Sequence, residues 1–161
     1  LVAVPSLRVV HVAGRIEGAD VRARIAGATG GQEDRYHVVD YIDAMGDALA
    51  AADVVVARAG ATSIAEITAV GRAAVLVPYP YATDDHQTLN ARTLAEAGAA
   101  DLVADADLDG PALGEAVLRL IAEPERVARM ARASAALAAR DATERLVRLV
   151  GEAARNGKEM R

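Results

Sequence analysis

The residues best suited to chemistry lie in two short segments, "ARAGATSIAEI" (57–67) and "VPYPYATDDHQTLNA" (77–91). In the first, a run of valines gives way to Gly60, Thr62 and Ser63, followed by Glu66. A glycine there lets the chain turn sharply or lets backbone approach a ligand closely. If a helix begins at this point, the N–H groups of Ala61 to Ile64 point outward at the positive end of its dipole, which suits an anion such as a diphosphate. Glu66, an acceptor-only carboxylate, can take both hydroxyls of a ribose. Ser63 and Glu66 also fit an S-x-x-E capping box, in which each side chain satisfies an orphan backbone amide. The residues alone weigh toward the capping box and leave the ligand role open.

The second segment leaves a strand through two prolines and enters a helix at about His86, with Gln87 and Asn90 one turn apart and so on one face. Their amides carry paired donors and acceptors that suit sugar hydroxyls. Taken singly, each is more simply a solvated polar residue on a capped helix; two such strand-end loops in one chain favour a site. Asp84, Asp85 and His86 are neighbours that do not face one another on a helix, and no further carboxylate or histidine cluster completes a shell, so no metal is expected. His11 and His37 fall within strand patterns and read as core or edge residues.

The elements that must position these segments follow from hydrophobic periodicity. Apolar runs at 7–13, 36–41, 53–57, 73–78 and 100–104 alternate with stretches of helical period near 19–28, 43–51, 63–70 and 86–97, the pattern of a parallel sheet covered on both faces. Three more helices are expected at about 111–122, 124–139 and 142–155. Gly71 and Gly98 sit where helices should end in a left-handed cap, and Pro111 and Pro124 sit near helix starts. "GATGGQED" (27–34) reads as a surface loop, and the Ala/Arg-rich stretch 126–140 as an exposed amphipathic helix. Open parallel sheets bind ligands beyond the carboxyl ends of their strands, where both candidate segments would lie.

Composition narrows the function. At 161 residues with 53% hydrophobic content, no Phe, no Trp and four Tyr, the core must be built from Val, Leu, Ile and Ala within one α/β domain spanning 1–161. The net charge of −5, without basic clusters interleaved with aromatics, argues against a nucleic-acid partner. The absence of cysteine excludes disulfides and thiolate-bound metal and suits a cytoplasmic setting. No apolar run approaches the roughly 18 to 20 residues of a membrane span. The first strand pattern follows Leu1 almost at once, which suggests a piece of something longer. There is no phosphate-binding G-x-x-x-x-G-K-[ST], "GRIEG" (14–18) is not a dinucleotide turn, and no G-x-S-x-G elbow occurs. Serines stand only at 6, 63 and 134, which leaves nucleophilic hydrolysis without support.

The segment 52–103, from "ADVVVARAGATSIAEI" through "DDHQTLNA" to "ADLV", resembles the donor-binding half of the MurG family, glycosyltransferases that add N-acetylglucosamine to a lipid-linked precursor of peptidoglycan. The resemblance extends upstream through "VVHVAGR" (9–15) and 41–45, and downstream to "DATERLVRLV" (141–150). It rests on R-[SA]-G-A-x-[TS]-x-x-E combined with a later H-Q-x-x-N-A. The fold it implies is a Rossmann-like parallel sheet with helices on both faces, the C-terminal half of a GT-B glycosyltransferase.

The resemblance also implies roles. Ile42 would read the uracil edge through its backbone, with Tyr41 and Met45 walling the base. Gly60 and Ala61 through Glu66, including Thr62, Ser63, Ile64 and Ala65, would form the diphosphate and ribose site, with Glu66 on the ribose. His86 and Gln87 would contact the N-acetylglucosamine ring, with Asn90 nearby. The implied ligand is UDP-N-acetylglucosamine, with no cofactor, and the lipid-linked acceptor would meet an N-terminal domain absent from these 161 residues. The first strand of the donor domain and the loop after it should precede Leu1. On this reading no catalytic base lies within the chain, the isolated chain is inactive, and the full enzyme sits in the cytoplasm, peripheral on the inner face of the cell membrane. Alternatives are another GT-B transferase for a UDP-sugar, a UDP-sugar epimerase, and a non-catalytic sugar-nucleotide-binding module.

Overall fold

In the computed structural model, which describes residues 4–29 and 33–159, the chain divides into two compact units within residues 1–51 and 52–161. Runs of valine and other branched residues form the strands because such side chains pack well on a pleated surface.

The first unit contains β1 (Val9–Val12), α1 (Gly14–Thr29), β2 (Tyr36–Val39) and α2 (Met45–Ala51). β1 and β2 pair in parallel, with Val9 opposite Tyr36 and Val12 opposite Val39, so α1 is a crossover helix. The loop expected at 27–34 is corrected in part. Residues 27–29 continue α1 and 33–35 form a short 3-10 turn, while 30–32 lie outside the described residues. A glycine within a helical run did not end it, because Gly27 lies in open space and costs only backbone entropy.

The second unit comprises β3 (Val54–Ala57), α3 (Ala61–Val70), β4 (Ala73–Leu76), α4 (His86–Glu96), β5 (Ala100–Leu102), α5 (Gly110–Ala122), α6 (Pro124–Ala136) and α7 (Ala142–Glu159). Its strands form a parallel sheet in the order β3-β4-β5. Register places Ala57 opposite Leu76, and Leu76 opposite Leu102, so all three strands end along one edge. The segments that follow them, including both candidate segments, therefore leave the sheet on the same side.

β4 is the centre of this sheet, and Ala73, Ala74, Val75 and Leu76 are all fully buried. Because side chains alternate across a strand, burial of every position means that both faces are covered. Ala73 and Val75 pack with Ala116 and Leu120 of α5 and Met130 of α6. Each fully buried leucine contributes about 1.5–3 kcal/mol. The Ala/Arg-rich helix α6 ends at Ala136 and is less exposed than its composition suggests. Met130 and Ser134 are buried, the helix packs on α3 and β4, and alanines such as Ala135 permit the close approach to Gly71. Gly71 closes α3 in the left-handed conformation at φ 69°, and its N–H reaches the carbonyls of Ile67 and Thr68.

Candidate functional site

The candidate site is built from α3 upward. Its N-cap is Gly60, in an extended conformation, and no side chain caps the helix. Ser63 is thus the third helical residue rather than the cap, and the S-x-x-E pattern lies three residues out of phase with the helix start. The capping box does not form. Glu66 is exposed, one turn beyond Thr62 on the same outward face, while Ile67 and Thr68 turn inward.

The Ile64 N–H donates to the Gly60 carbonyl at 2.9 Å. That bond corrects the expected row of open donors from Ala61 to Ile64: the first helical hydrogen bond consumes the Ile64 amide. The donors left without an intrahelical partner by geometry are Ala61, Thr62 and Ser63. Ala61 and Thr62 are exposed and Ser63 half-buried, so this positive helix end opens to solvent. Ala65 is exposed in the same turn as Glu66, and Ile64 is half-buried.

α4 is fastened beside this opening. Asn90 Nδ2 donates to the carbonyl of Ala59 at 3.1 Å, just before the Gly60 cap. A carbonyl can only accept, so the bond fixes the amide's orientation and leaves Oδ1 of Asn90 as an acceptor. Gln87 is oriented the opposite way. Its Oε1 accepts from the backbone N–H of Tyr79 at 3.0 Å, which leaves Nε2 as a donor. His86 opens α4, exposed, with Nδ1 donating to the Thr83 carbonyl at 2.6 Å, so that Nε2 carries the lone pair in the neutral ring. Before it, Asp84 and Asp85 hold φ of 51° and 52°, a left-handed pair that bends the loop into α4.

Arg58 was visible in the sequence only as part of a pattern, yet it organises the strand ends. Its Nη1 donates to the carbonyls of Val77 at 3.4 Å and Pro78 at 3.2 Å and to the Asp105 carboxylate, and its guanidinium lies over the Tyr79 ring at 5.6 Å. Partners 19, 20 and 47 residues away leave no local trace in the sequence. Tyr79 in turn meets Tyr81 edge-to-face at 5.6 Å.

Tyr41, Ile42 and Met45 belong to the first unit, the first two in the connection between β2 and α2 and Met45 as the first residue of α2. Ile42 and Met45 are half-buried, whereas Tyr41 is exposed with the Arg15 guanidinium over its ring at 5.6 Å. Nearby, Tyr36 and His11 form a hydrogen-bonded pair across β1 and β2, Nδ1 to the phenol oxygen at 3.1 Å, and burial raises the Tyr36 phenol above its ordinary 10.0. Among the described residues no three His, Cys, Asp or Glu side chains gather as a ligand set for a metal, and no helix is long and apolar enough to cross a membrane.

Residues 4–146 match the family model described as the glycosyltransferase family 28 C-terminal domain. A protein of Sorangium cellulosum is 48% identical over 149 residues, 92% of this chain and 36% of that protein. It is named UDP-N-acetylglucosamine--N-acetylmuramyl-(pentapeptide) pyrophosphoryl-undecaprenol N-acetylglucosamine transferase. The chain thus spans about a third of that relative's length. The crystal structure of Acinetobacter baumannii MurG matches 91% of this chain and 43% of its own, with TM-score 0.79 and 29% identity. The glycotransferase of kitacinnamycin matches 84% of this chain and 33% of its own, with TM-score 0.61 and 25% identity. Parallel sheets flanked by helices, strand-end loops on one edge and a family match over most of the sequence converge: the chain belongs to glycosyltransferase family 28, whose C-terminal domain it carries.

Proposed function

We propose that this chain is the UDP-N-acetylglucosamine-binding part of an inverting N-acetylglucosaminyltransferase that acts on a lipid-linked muramyl-pentapeptide acceptor in peptidoglycan synthesis. The observation that carries the reading is the uncapped start of α3, open at Ala61, Thr62 and Ser63, with Gln87 and Asn90 fastened beside it. The names of the relatives supply the donor and acceptor.

In the reaction, an acceptor hydroxyl oxygen attacks the anomeric carbon, the bond from that carbon to the diphosphate oxygen breaks, and its electron pair leaves with UDP. A base takes the hydroxyl proton. On this reading the amides at the α3 start offset the charge growing on the diphosphate without reorganising. Glu66 holds the ribose hydroxyls, and Thr62 and Ser63 add hydroxyls beside the phosphates. Gln87 presents a donor and Asn90 an acceptor to the sugar, which with His86 fixes the ring and lowers the entropy cost of attack. Ile42 reads the uracil, flanked by Tyr41 and Met45. The whole 161 residues serve as one sugar-nucleotide-binding domain, and the enzyme works on the inner face of the cell membrane.

Calorimetric titration with UDP-N-acetylglucosamine, UDP-glucose and dTDP-sugars tests this. Preference for UDP-N-acetylglucosamine is the expected result; equal or stronger binding of another sugar nucleotide would favour a different transferase of the same architecture. The likeness to the kitacinnamycin glycotransferase supports that second reading.

A further inference from the structure

The sugar side of the site depends on Gln87, and Gln87 depends on a residue that touches no ligand in the reading above. Three links connect them. Arg58 directly follows β3 and donates to the carbonyls of Val77 and Pro78 directly after β4. The same guanidinium pairs with Asp105, the first residue of the short turn after β5. It also lies over the ring of Tyr79, whose backbone N–H donates to Gln87 Oε1. One planar cation therefore joins the carboxyl ends of all three strands of the second unit and sets the path of the chain at Tyr79.

The side chains of Arg58 and Asp105 are 46% and 30% exposed, and an ion pair in so open a setting adds little to folding. Its value is in geometry. A guanidinium offers five donors in a fixed fork, which an ammonium or a neutral amide does not reproduce. The position of the Tyr79 amide decides which end of Gln87 faces outward: with Oε1 held, Nε2 is presented. Without that hold the amide can turn over and offer an acceptor where a donor is needed.

Resting on the proposed donor site, we infer that Arg58 and Asp105 are positioning residues for the sugar subsite: through Tyr79 they hold Gln87 with its donor group turned to the hexose, and so set the preference for the sugar-bearing nucleotide over UDP alone. The open amides of α3 begin three residues after Arg58, but the bond that fastens this helix start runs from Asn90 to the Ala59 carbonyl and does not use the guanidinium, so the diphosphate should be indifferent to this linkage.

The test is titration of the 161-residue chain with UDP and with UDP-N-acetylglucosamine, for the wild type, Arg58→Gln, Asp105→Asn and the double variant. The inference expects each single variant to weaken UDP-N-acetylglucosamine about tenfold, the value of one well-placed hydrogen bond, while UDP stays within about twofold. The double variant should be no worse than the worse single, because both changes break one linkage. Arg58→Lys should restore less than half of the logarithmic loss. Asp105→Asn keeps both carbonyl contacts of Arg58 and carries the test if Arg58→Gln melts early. Parallel weakening of both nucleotides, or an unchanged ratio between them, would overturn the positioning role while leaving the donor site standing. Failure of the wild type to bind UDP would overturn both readings together.

Discussion

Asn90 Nδ2 and the carbonyl oxygen of Ala59, 31 residues apart in sequence, lie 3.1 Å apart and form the bond that fastens α4 to the start of α3. Ala59 is fully buried, so its carbonyl has no access to water in place of Asn90. The bond has two consequences: it ties α4 to the residue before the Gly60 cap, and it leaves Oδ1 as the free acceptor of the Asn90 amide.

Asn90→Ala should therefore cost about 1–3 kcal/mol of stability by stranding a buried acceptor. Asn90→Asp should cost at least as much, since a carboxylate brings no donor to the Ala59 carbonyl. Urea unfolding checks both; a stability equal to the wild type in either variant contradicts the bond's role.

Glu66 makes no cap and lies exposed, so Glu66→Ala should change stability by less than about 0.5 kcal/mol. Loss of its charge-assisted bonds to a ribose should weaken UDP-N-acetylglucosamine by about 1.5–3 kcal/mol. Calorimetry and thermal melting of the same sample separate the two, and an unchanged affinity would leave Glu66 without a part in donor binding.

Gly71 offers the opposite control. At φ 69° it strains any side chain, and an added Cβ would sit 2.8 Å from the Ala135 Cβ. Gly71→Ala should destabilise the second unit by about 1–3 kcal/mol through backbone strain and the clash with α6. It lies at the far end of α3 from the open amides, so nucleotide affinity measured well below the melting temperature should hold. A Gly71→Ala protein as stable as the wild type would contradict the close helix packing.

Tyr36 ties stability to alkaline pH. Burial raises its phenol above 10.0, so the folded chain keeps a proton that the unfolded chain has released. The contribution is complete below pH 10 and is lost as pH rises through the raised folded value. Tyr36→Phe should flatten that loss and, by removing the bond to His11, cost about 1 kcal/mol at neutral pH. Denaturation across alkaline pH reads this; an identical alkaline decline in the variant rules Tyr36 out as its source.

Much of this fold is legible in the sequence because its signals are local. Valine runs mark β1 and β3, and Gly71 and Gly98 close helices at φ 69° and 72°. The start of α3 was less legible, since Gly60 caps it with no side chain and the nearby S-x-x-E pattern points three residues too late. Arg58 was hidden for another reason: its partners Val77, Pro78 and Asp105 meet it only once β3, β4 and β5 align. The left-handed pair Asp84 and Asp85 was equally silent, because aspartate tolerates that conformation without announcing it.

The central claim is that the amides opening α3 hold a diphosphate, and backbone amide NMR during titration with UDP tests it most directly. At saturation the signals of Ala61, Thr62 and Ser63 should move most within α3, while Ile64, already bonded to Gly60, moves less. Saturation by UDP with those three amides unmoved, or no saturation at all, would contradict it.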